Sequence, residues 1–355
     1  MLIKKVQPNS KEAFDFLLLA WRLYAKDERM QSTQEIEQLL TGSHPLSTTF
    51  SFQAFVGYEN DSVVIRAALI QDKQSQLTYL GLFEAVNNLS VMAEFMQVIN
   101  AEARKLGAKA LVGPVNGSFW LGYRMKLSNF DTPPFTGEPH NLDYYPDLWR
   151  SVGFQLFEEY QSNYYVQSPL DYRADRLAKR YQQFVQAGYH FTHPSKAHWD
   201  TVSIEVFNLL SQLYADFPLY QPITSQQFSE IFASYRLILD FSMVTLAYFQ
   251  GYLVGFLIPL PDYGTLVYQT LTPINTLRIL RRRKKAKRYI LLYLGADSNH
   301  LGLGAALSYQ FFTQIKYRQA ESIGALIHKG KITNNYAAEM QVKHTDYGLF
   351  RLELN

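Results

Sequence analysis

Gly302 and Gly304 stand two residues apart, a short loop beyond an apolar run, Ile290-Leu-Leu-Tyr-Leu294, and at the head of an amphipathic one, Leu303-Gly-Ala-Ala-Leu307. Glycine lets a backbone approach a ligand closely, and the first N–H groups of a helix have no partner within it. A strand running through such a turn into a helix is suited to an anion, typically phosphate or pyrophosphate. The dinucleotide pattern Gly-x-Gly-x-x-Gly fails here because Leu307 stands where its third glycine belongs. A Walker-type loop fails for want of Gly-Lys-Ser/Thr. On residue types alone, the glycines either cradle an anion or ease tight packing of helix on strand.

A second chemistry-bearing region is the irregular stretch Gly113-Pro-Val-Asn-Gly-Ser-Phe-Trp-Leu-Gly-Tyr-Arg124 with its continuation from Phe130 to Tyr145. Structureless loops of this length inside a domain are usually functional. Trp120, Tyr123, Phe135, Tyr144 and Tyr145 offer apolar walls, while Arg124, Glu138, His140 and Asn141 offer polar handles. Trp120, Tyr123, Arg124, Tyr144 and Tyr145 are taken as substrate-binding candidates, and Glu138 and His140 as general-base candidates. The alternative is a proline-braced loop packing its aromatics on its own domain. Seven basic residues crowd into Arg281–Arg288; they read as a solvated loop, with a phosphate or nucleic acid as the functional options.

The elements around these residues recur. The first half reads as a helix over 13–24, strands over 49–56, 62–70 and 77–83, a helix over 90–106, a short strand at 110–112 and a closing strand at 158–166. After a polar helix over 172–186, the second half repeats the order. Helices span 201–214 and 225–235, a hairpin 243–258 and a strand 289–294. Then come the glycine turn, a helix over 303–319, a strand at 324–327, a helix over 336–342 and a final strand at 347–354. Two copies of one α/β domain are expected, over 1–168 and 169–355. The uncharged segment Phe241–Pro261 is long enough to span a bilayer, but Gln250-Gly251 divides it into two β-rich halves, so a hairpin is expected.

Composition agrees with a packed protein: 47% of the 355 residues are hydrophobic and only 18% charged, which excludes a disordered chain. The formal charge of +3 comes from 34 basic and 31 acidic residues; without the seven of the basic run it is 27 against 31, or −4. A general nucleic-acid coat is therefore disfavoured. With no cysteine there is no disulfide, thiol nucleophile or thiolate-held metal, and no metal site is expected. No secretory signal follows Met1, so a cytoplasmic protein is expected, without a membrane partner.

The glycine turn resembles motif A of the GNAT acyltransferase superfamily, Gln/Arg-x-x-Gly-x-Gly/Ala, here Asn299-His-Leu-Gly302-Leu-Gly304. That resemblance implies a fold of two tandem GNAT-like α/β domains, each a mixed, mainly antiparallel sheet flanked by helices. It also implies that amides over Asn299, His300, Gly302, Leu303, Gly304 and Ala305 grip the pyrophosphate of acetyl-coenzyme A or another acyl-coenzyme A. The strand edge near Leu292 and Leu294 would pair with the pantetheine arm, and a donor near Leu294 would hold the oxyanion. Asn299 departs from the usual Gln or Arg. Further on, Asn334-Asn-Tyr-Ala-Ala-Glu-Met-Gln341 resembles the family's Asn-x-x-Ala-x-x-Leu-Tyr, which puts Asn334 beside the cofactor and Gln341 where the usual proton-donating Tyr stands; Tyr336 or Tyr347 would substitute. The first half has no glycine between Phe83 and Ser90, so coenzyme A is expected in the second domain alone.

The implied activity is acyl transfer to a small-molecule or peptide amine by direct attack. The alternatives are a Fem-type aminoacyl transferase using tRNA, and a non-catalytic ligand-binding protein on the same fold.

Overall fold

The computed structural model describes residues 1–217, 219–330 and 338–354. They divide into two compact units that are not contiguous in sequence. Unit 1 comprises 1–134, 138–160 and 345–355; unit 2 comprises 135–137 and 161–344. The expected halves, 1–168 and 169–355, are contiguous stretches; the compact units instead exchange a short loop segment and the last strand.

Unit 1 begins with β1 (Leu2–Lys5), α1 (Lys11–Leu23) and α2 (Thr33–Thr41). Ser10 and Ser32 cap the helices by accepting from the N–H groups of Ala13 and Glu35. Three long strands follow, β2 (Phe50–Glu59), β3 (Ser62–Asp72) and β4 (Thr78–Ala85), then α3 (Leu89–Lys105) and β5 (Ala110–Gly113). The pair β6 (Met125–Lys126) and helix α4 (Tyr145–Ser151) lead to β7 (Gln155–Tyr165), which crosses into unit 2. In α3, Val91, Met92, Phe95, Met96 and Ile99 are each at most 2% exposed and lie on the sheet side. Burying side chains of this kind stabilises by roughly 1.5–3 kcal/mol each.

Unit 2 repeats the pattern with α5 (Asp175–Gln186), β8 (His190–Thr192), α6 (Trp199–Leu213), α7 (Ser225–Ile231) and α8 (Tyr235–Ile238). The hairpin β9 (Thr245–Phe249) and β10 (Tyr252–Pro261) turns at Gln250 and Gly251, both at positive φ (51° and 84°). That is the geometry a two-residue hairpin demands, and among the described residues no helix is long and apolar enough to cross a membrane. Helix α9 (Pro273–Lys284), β11 (Arg288–Ala296), α10 (Leu303–Arg318) and β12 (Glu321–His328) follow. The last strand, β13 (Gln341–Glu353), ends in unit 1. The helix expected over 336–342 lies partly outside the described residues; Ala338–Met340 form a 3-10 turn, and Gln341 already belongs to β13.

The basic run is not a loop. Arg281–Lys284 form the last turn of α9 and Arg288 opens β11. Cations in a last helical turn face the negative end of the helix dipole, which favours that placement.

Each unit has a mixed sheet, in order β1-β2-β3-β4-β5-β13 for unit 1 and β12-β11-β10-β9-β8 for unit 2. Pairs are antiparallel except β4 with β5 and β11 with β12. The duplication extends to an irregularity. Arg66 faces Glu84 while Ala68 faces Gly81, so β4 carries one extra residue at Leu82–Phe83, and Leu82 has φ 49°. In unit 2, Ile258 faces Tyr293 while Pro259 faces Leu291, so β11 carries its extra residue at Leu292. Two copies of a β-bulge at one place in the fold mark a built feature.

Candidate functional site

In both units the parallel pair parts after a short stretch. In unit 2, β11 and β12 are in register from Arg288↔Glu321 to Leu291↔Gly324 and no further. Beyond that point Leu292 is skipped by β10 as the bulge and has no partner on β12. Leu292, Leu294 and Ala296 on one strand, and Leu326, Ile327 and His328 on the other, are half-buried. Phe135-Thr-Gly137 packs on this region within unit 2. Phe135 joins a cluster with Ile290, Ile323 and Ala325, and a Cβ on Gly137 would meet Leu292 at 3.2 Å. The segment is fastened by the N–H of Thr136 donating to Asp262 Oδ1 (3.1 Å), by the N–H of Tyr263 donating to Thr136 Oγ1 (2.8 Å), and by the N–H of Gly137 donating to Tyr268 Oη (3.0 Å).

In unit 1 the same opening is filled by the chain itself. After Thr78↔Leu111 and Tyr79↔Val112, Val115 N–H donates to the Leu80 carbonyl (3.1 Å) and the bulged Leu82 N–H donates to Asn116 Oδ1 (2.8 Å). A Cβ on Gly81 would lie 1.8 Å from the Val115 carbonyl oxygen. The helix that follows β4 is closed too, since Asn88 accepts from the N–H groups of Ser90 and Val91 at the start of α3.

Its counterpart α10 has Gly302 as N-cap, with no side chain to cap it and φ 91°. Of the loop amides, Asn299 N–H donates to Asp297 Oδ1 (2.9 Å) and His300 N–H to the Asp297 carbonyl (2.9 Å). Leu303 N–H donates to the His300 carbonyl (3.0 Å) and Ala305 N–H to the Gly302 carbonyl (3.1 Å). Among the described residues this leaves Leu301, Gly302 and Gly304 N–H without an acceptor. Arg180 of α5 lies over the turn: a Cβ on Gly302 would come 2.8 Å from its Nε. His300 is held by Tyr189, whose Oη is 2.5 Å from His300 Nδ1, and stands edge-on to Tyr189 and Phe249. The turn thus fits a pyrophosphate in its glycine, its open amides and a cation above them. Asp297, a carboxylate beside the amides, opposes that fit. Neither Arg180 nor Asp297 was a sequence candidate; Asp297 lies inside the motif, but Arg180 lies on a helix far away in sequence with no motif of its own.

The remaining candidates fall in unit 1. Glu138 is 3% exposed; its Oε1 accepts from Tyr347 Oη (2.6 Å) and lies 3.2 Å from Lys126 Nζ. Tyr347 is fully buried. The structure places both side chains in unit 1, in contact with each other. Tyr123 is buried, with Arg124 stacked on it and on Tyr160 at 3.8 and 4.1 Å from the ring centroids. Trp120 stands edge-on to Phe119. Tyr144 Oη donates to the Ala85 carbonyl (2.8 Å), and Tyr145 Oη donates to Glu84 Oε2 (2.7 Å) while accepting from Ala85 N–H (3.0 Å). These tyrosines brace β4. Asn334 and Tyr336 lie outside the described residues.

His140 borders a pocket in unit 1 with Tyr24, Gln31, Arg66 and Glu84, of about 30 Å³, room for a water or two. Among the described residues its Nδ1 has no hydrogen-bond partner, and burial, helped by the nearby Lys126 charge, pulls its pKa down to about 4. A histidine whose folded pKa lies below its unfolded value contributes stability that is present above the unfolded pKa and lost as pH falls. Unfolding is thus expected to become easier as pH drops from 6.5 towards 4, and His140→Gln to flatten that slope; urea midpoints across this range test it.

No family model matches the sequence, and no curated protein matches it. Solved structures do. A tandem GNAT protein from the clavulanic acid biosynthesis pathway is 12% identical, with a TM-score of 0.55, over 100% of this chain and 98% of its own. A GCN5-related N-acetyltransferase from Sphaerobacter thermophilus is 12% identical, with a TM-score of 0.51, over 100% and 96%. A GCN5-related glucosamine N-acetyltransferase region of a fungal multi-domain GH3 β-N-acetylglucosaminidase is 11% identical, with a TM-score of 0.56, over 99% of this chain and 38% of that one. The bulged strand, the parting parallel pair and the full-length match together give this chain the fold of a tandem GNAT protein.

Proposed function

We propose that the chain is an acyl-coenzyme A-dependent N-acyltransferase with its cofactor in unit 2. The observation that carries this reading is the contrast between the copies. Unit 1 fills its strand opening with Val115 and Asn116 and caps α3 with Asn88, whereas unit 2 leaves Leu292 unpaired and places Gly302 at the head of α10. The N-acetyltransferase names of two of the structural neighbours support the reaction class.

Leu301, Gly302 and Gly304 N–H, with Arg180, would hold the pyrophosphate, and the edge of β11 from Leu292 to Leu294 would receive the pantetheine arm. Leu292, which β10 skips and the β12 register does not reach, would offer a main-chain donor to the acyl oxygen. When bound, acyl-coenzyme A supplies a thioester carbon open to attack by a neutral amine.

Isothermal titration is expected to show micromolar binding of acetyl-coenzyme A, and an amine panel to release free thiol. Absence of binding by every coenzyme A species would overturn the assignment. Asp297→Asn keeps an acceptor for Asn299 N–H but removes the negative charge, so coenzyme A affinity should rise several-fold in the same titration.

A further inference from the structure

The connections between equivalent strands differ in the two units. Residues 73–77 suffice to join β3 to β4, whereas residues 262–287 join β10 to β11 and include α9. The inserted helix begins with Thr272 as N-cap, accepting from Asn275 N–H (3.2 Å), and Pro273 in its first turn. It is tied down on one side: Ile279 is 1% exposed, Arg282 donates to the Tyr263 carbonyl (3.2 Å) and Arg283 to the Leu237 carbonyl (2.7 Å).

The opposite side is exposed among the described residues. Ile274, Leu277, Arg278, Arg281 and Lys285 follow one another at helical spacing and share a face, and all five are exposed. Ile274 and Leu277 are 65% and 62% exposed, and Leu271, just ahead of the helix, is 57% exposed. Arg278 donates to Asn275 Oδ1 of its own helix (3.4 Å), and Arg281, Lys284 and Lys285 form no ion pair or hydrogen bond among the described residues. Three cations, Arg278, Arg281 and Lys285, thus continue a stripe that begins with aliphatic side chains, with Lys284 beside it, on an element its internal copy lacks.

We infer that α9 docks unit 2 on the surface of a bilayer rich in anionic lipid. Laid on such a surface, the aliphatic end of the exposed face can sink towards the acyl boundary while the Lys and Arg at its other end meet lipid phosphates. The aliphatic half decides against a nucleic acid, whose backbone is met by basic and polar side chains and offers leucine and isoleucine nothing to enter. This is surface attachment, without a spanning segment, and it does not depend on the acyl-transfer reading.

Co-sedimentation of the full chain with phosphatidylcholine vesicles, with and without phosphatidylglycerol, tests it. The protein should pellet only with phosphatidylglycerol present, and less as salt rises. Arg278→Gln with Arg281→Gln should weaken binding about tenfold or more, and Ile274→Ser with Leu277→Ser should weaken it several-fold at unchanged charge. Because these side chains are exposed, thermal melting and coenzyme A titration should not change in either variant, which separates this result from the proposed reaction. No pelleting with phosphatidylglycerol vesicles at low salt would overturn the inference. So would pelleting indifferent to Ile274→Ser with Leu277→Ser, or tight tRNA binding without vesicle binding.

Discussion

Glu84→Ala is expected to lower the stability of the protein by about 3–5 kcal/mol, because it strands the Arg66 guanidinium in the interior of unit 1. Arg66 is 0% exposed and Glu84 1%. Arg66 Nη2 donates to Gln31 Oε1 (2.7 Å) and, at 3.5 Å, to Glu84 Oε1; Gln31 Nε2 in turn donates to Glu84 (3.0 Å), and Tyr145 Oη does so on the other oxygen (2.7 Å). Burial pushes the Glu84 carboxyl above its usual range and Arg66 below its own; the Arg66 charge and the Tyr145 and Gln31 donors oppose that shift at Glu84, and the Glu84 charge opposes it at Arg66. Removing one partner leaves an uncompensated charge and frees three donors at once. The double replacement Arg66→Met with Glu84→Leu should cost less than Glu84→Ala, since it removes both charges and keeps apolar volume. Urea denaturation of both variants decides the matter: a loss below about 1 kcal/mol in Glu84→Ala, the range of a surface pair, would contradict it.

Gly302→Val is expected to reduce coenzyme A affinity about a hundredfold or more while leaving the chain folded. Two causes add. The φ of 91° lies outside what a β-branched residue adopts, so the turn must move, at a cost of order 1–3 kcal/mol. A new Cβ would also reach 2.8 Å from Arg180 Nε, pushing that cation away from the open amides. Arg180→Ala separates the causes: it keeps the turn and removes only the cation, so affinity should fall by a smaller factor, and more steeply at low salt. Full binding retained in Gly302→Val would place the cofactor elsewhere.

The duplicated architecture and the glycine turn were legible because they are local patterns. Gln250-Gly251 between β-rich runs predicted the hairpin, and apolar periodicity over 90–106 predicted α3 to within a residue or so. The misses have physical reasons. Thr272-Pro273 is a proper helix start, but the charge density of Arg281–Arg288 suggested a frayed loop, and α9 was overlooked. Ser32, three residues before Glu35, marks α2 in the same way. The roles of Glu138, Tyr145 and Tyr347 were out of reach, because each is set by a partner far along the chain: Tyr347 for Glu138, Glu84 for Tyr145. A polar residue in an irregular stretch looks the same in sequence whether it faces a ligand or a buried lysine.

The last strand has a consequence for how the protein is made. Phe350–Glu353 of β13 pair with the outer edge of β5, and Tyr347 and Gly348 pair with β6, all in unit 1. Unit 1 therefore cannot close its sheet until everything between Gln161 and His344 has been synthesised, although its first strands leave the ribosome early. During that interval the Leu111–Val112 edge stands open as a template for a foreign strand. Cutting the chain near 168 to obtain an isolated N-terminal half would make that exposure permanent.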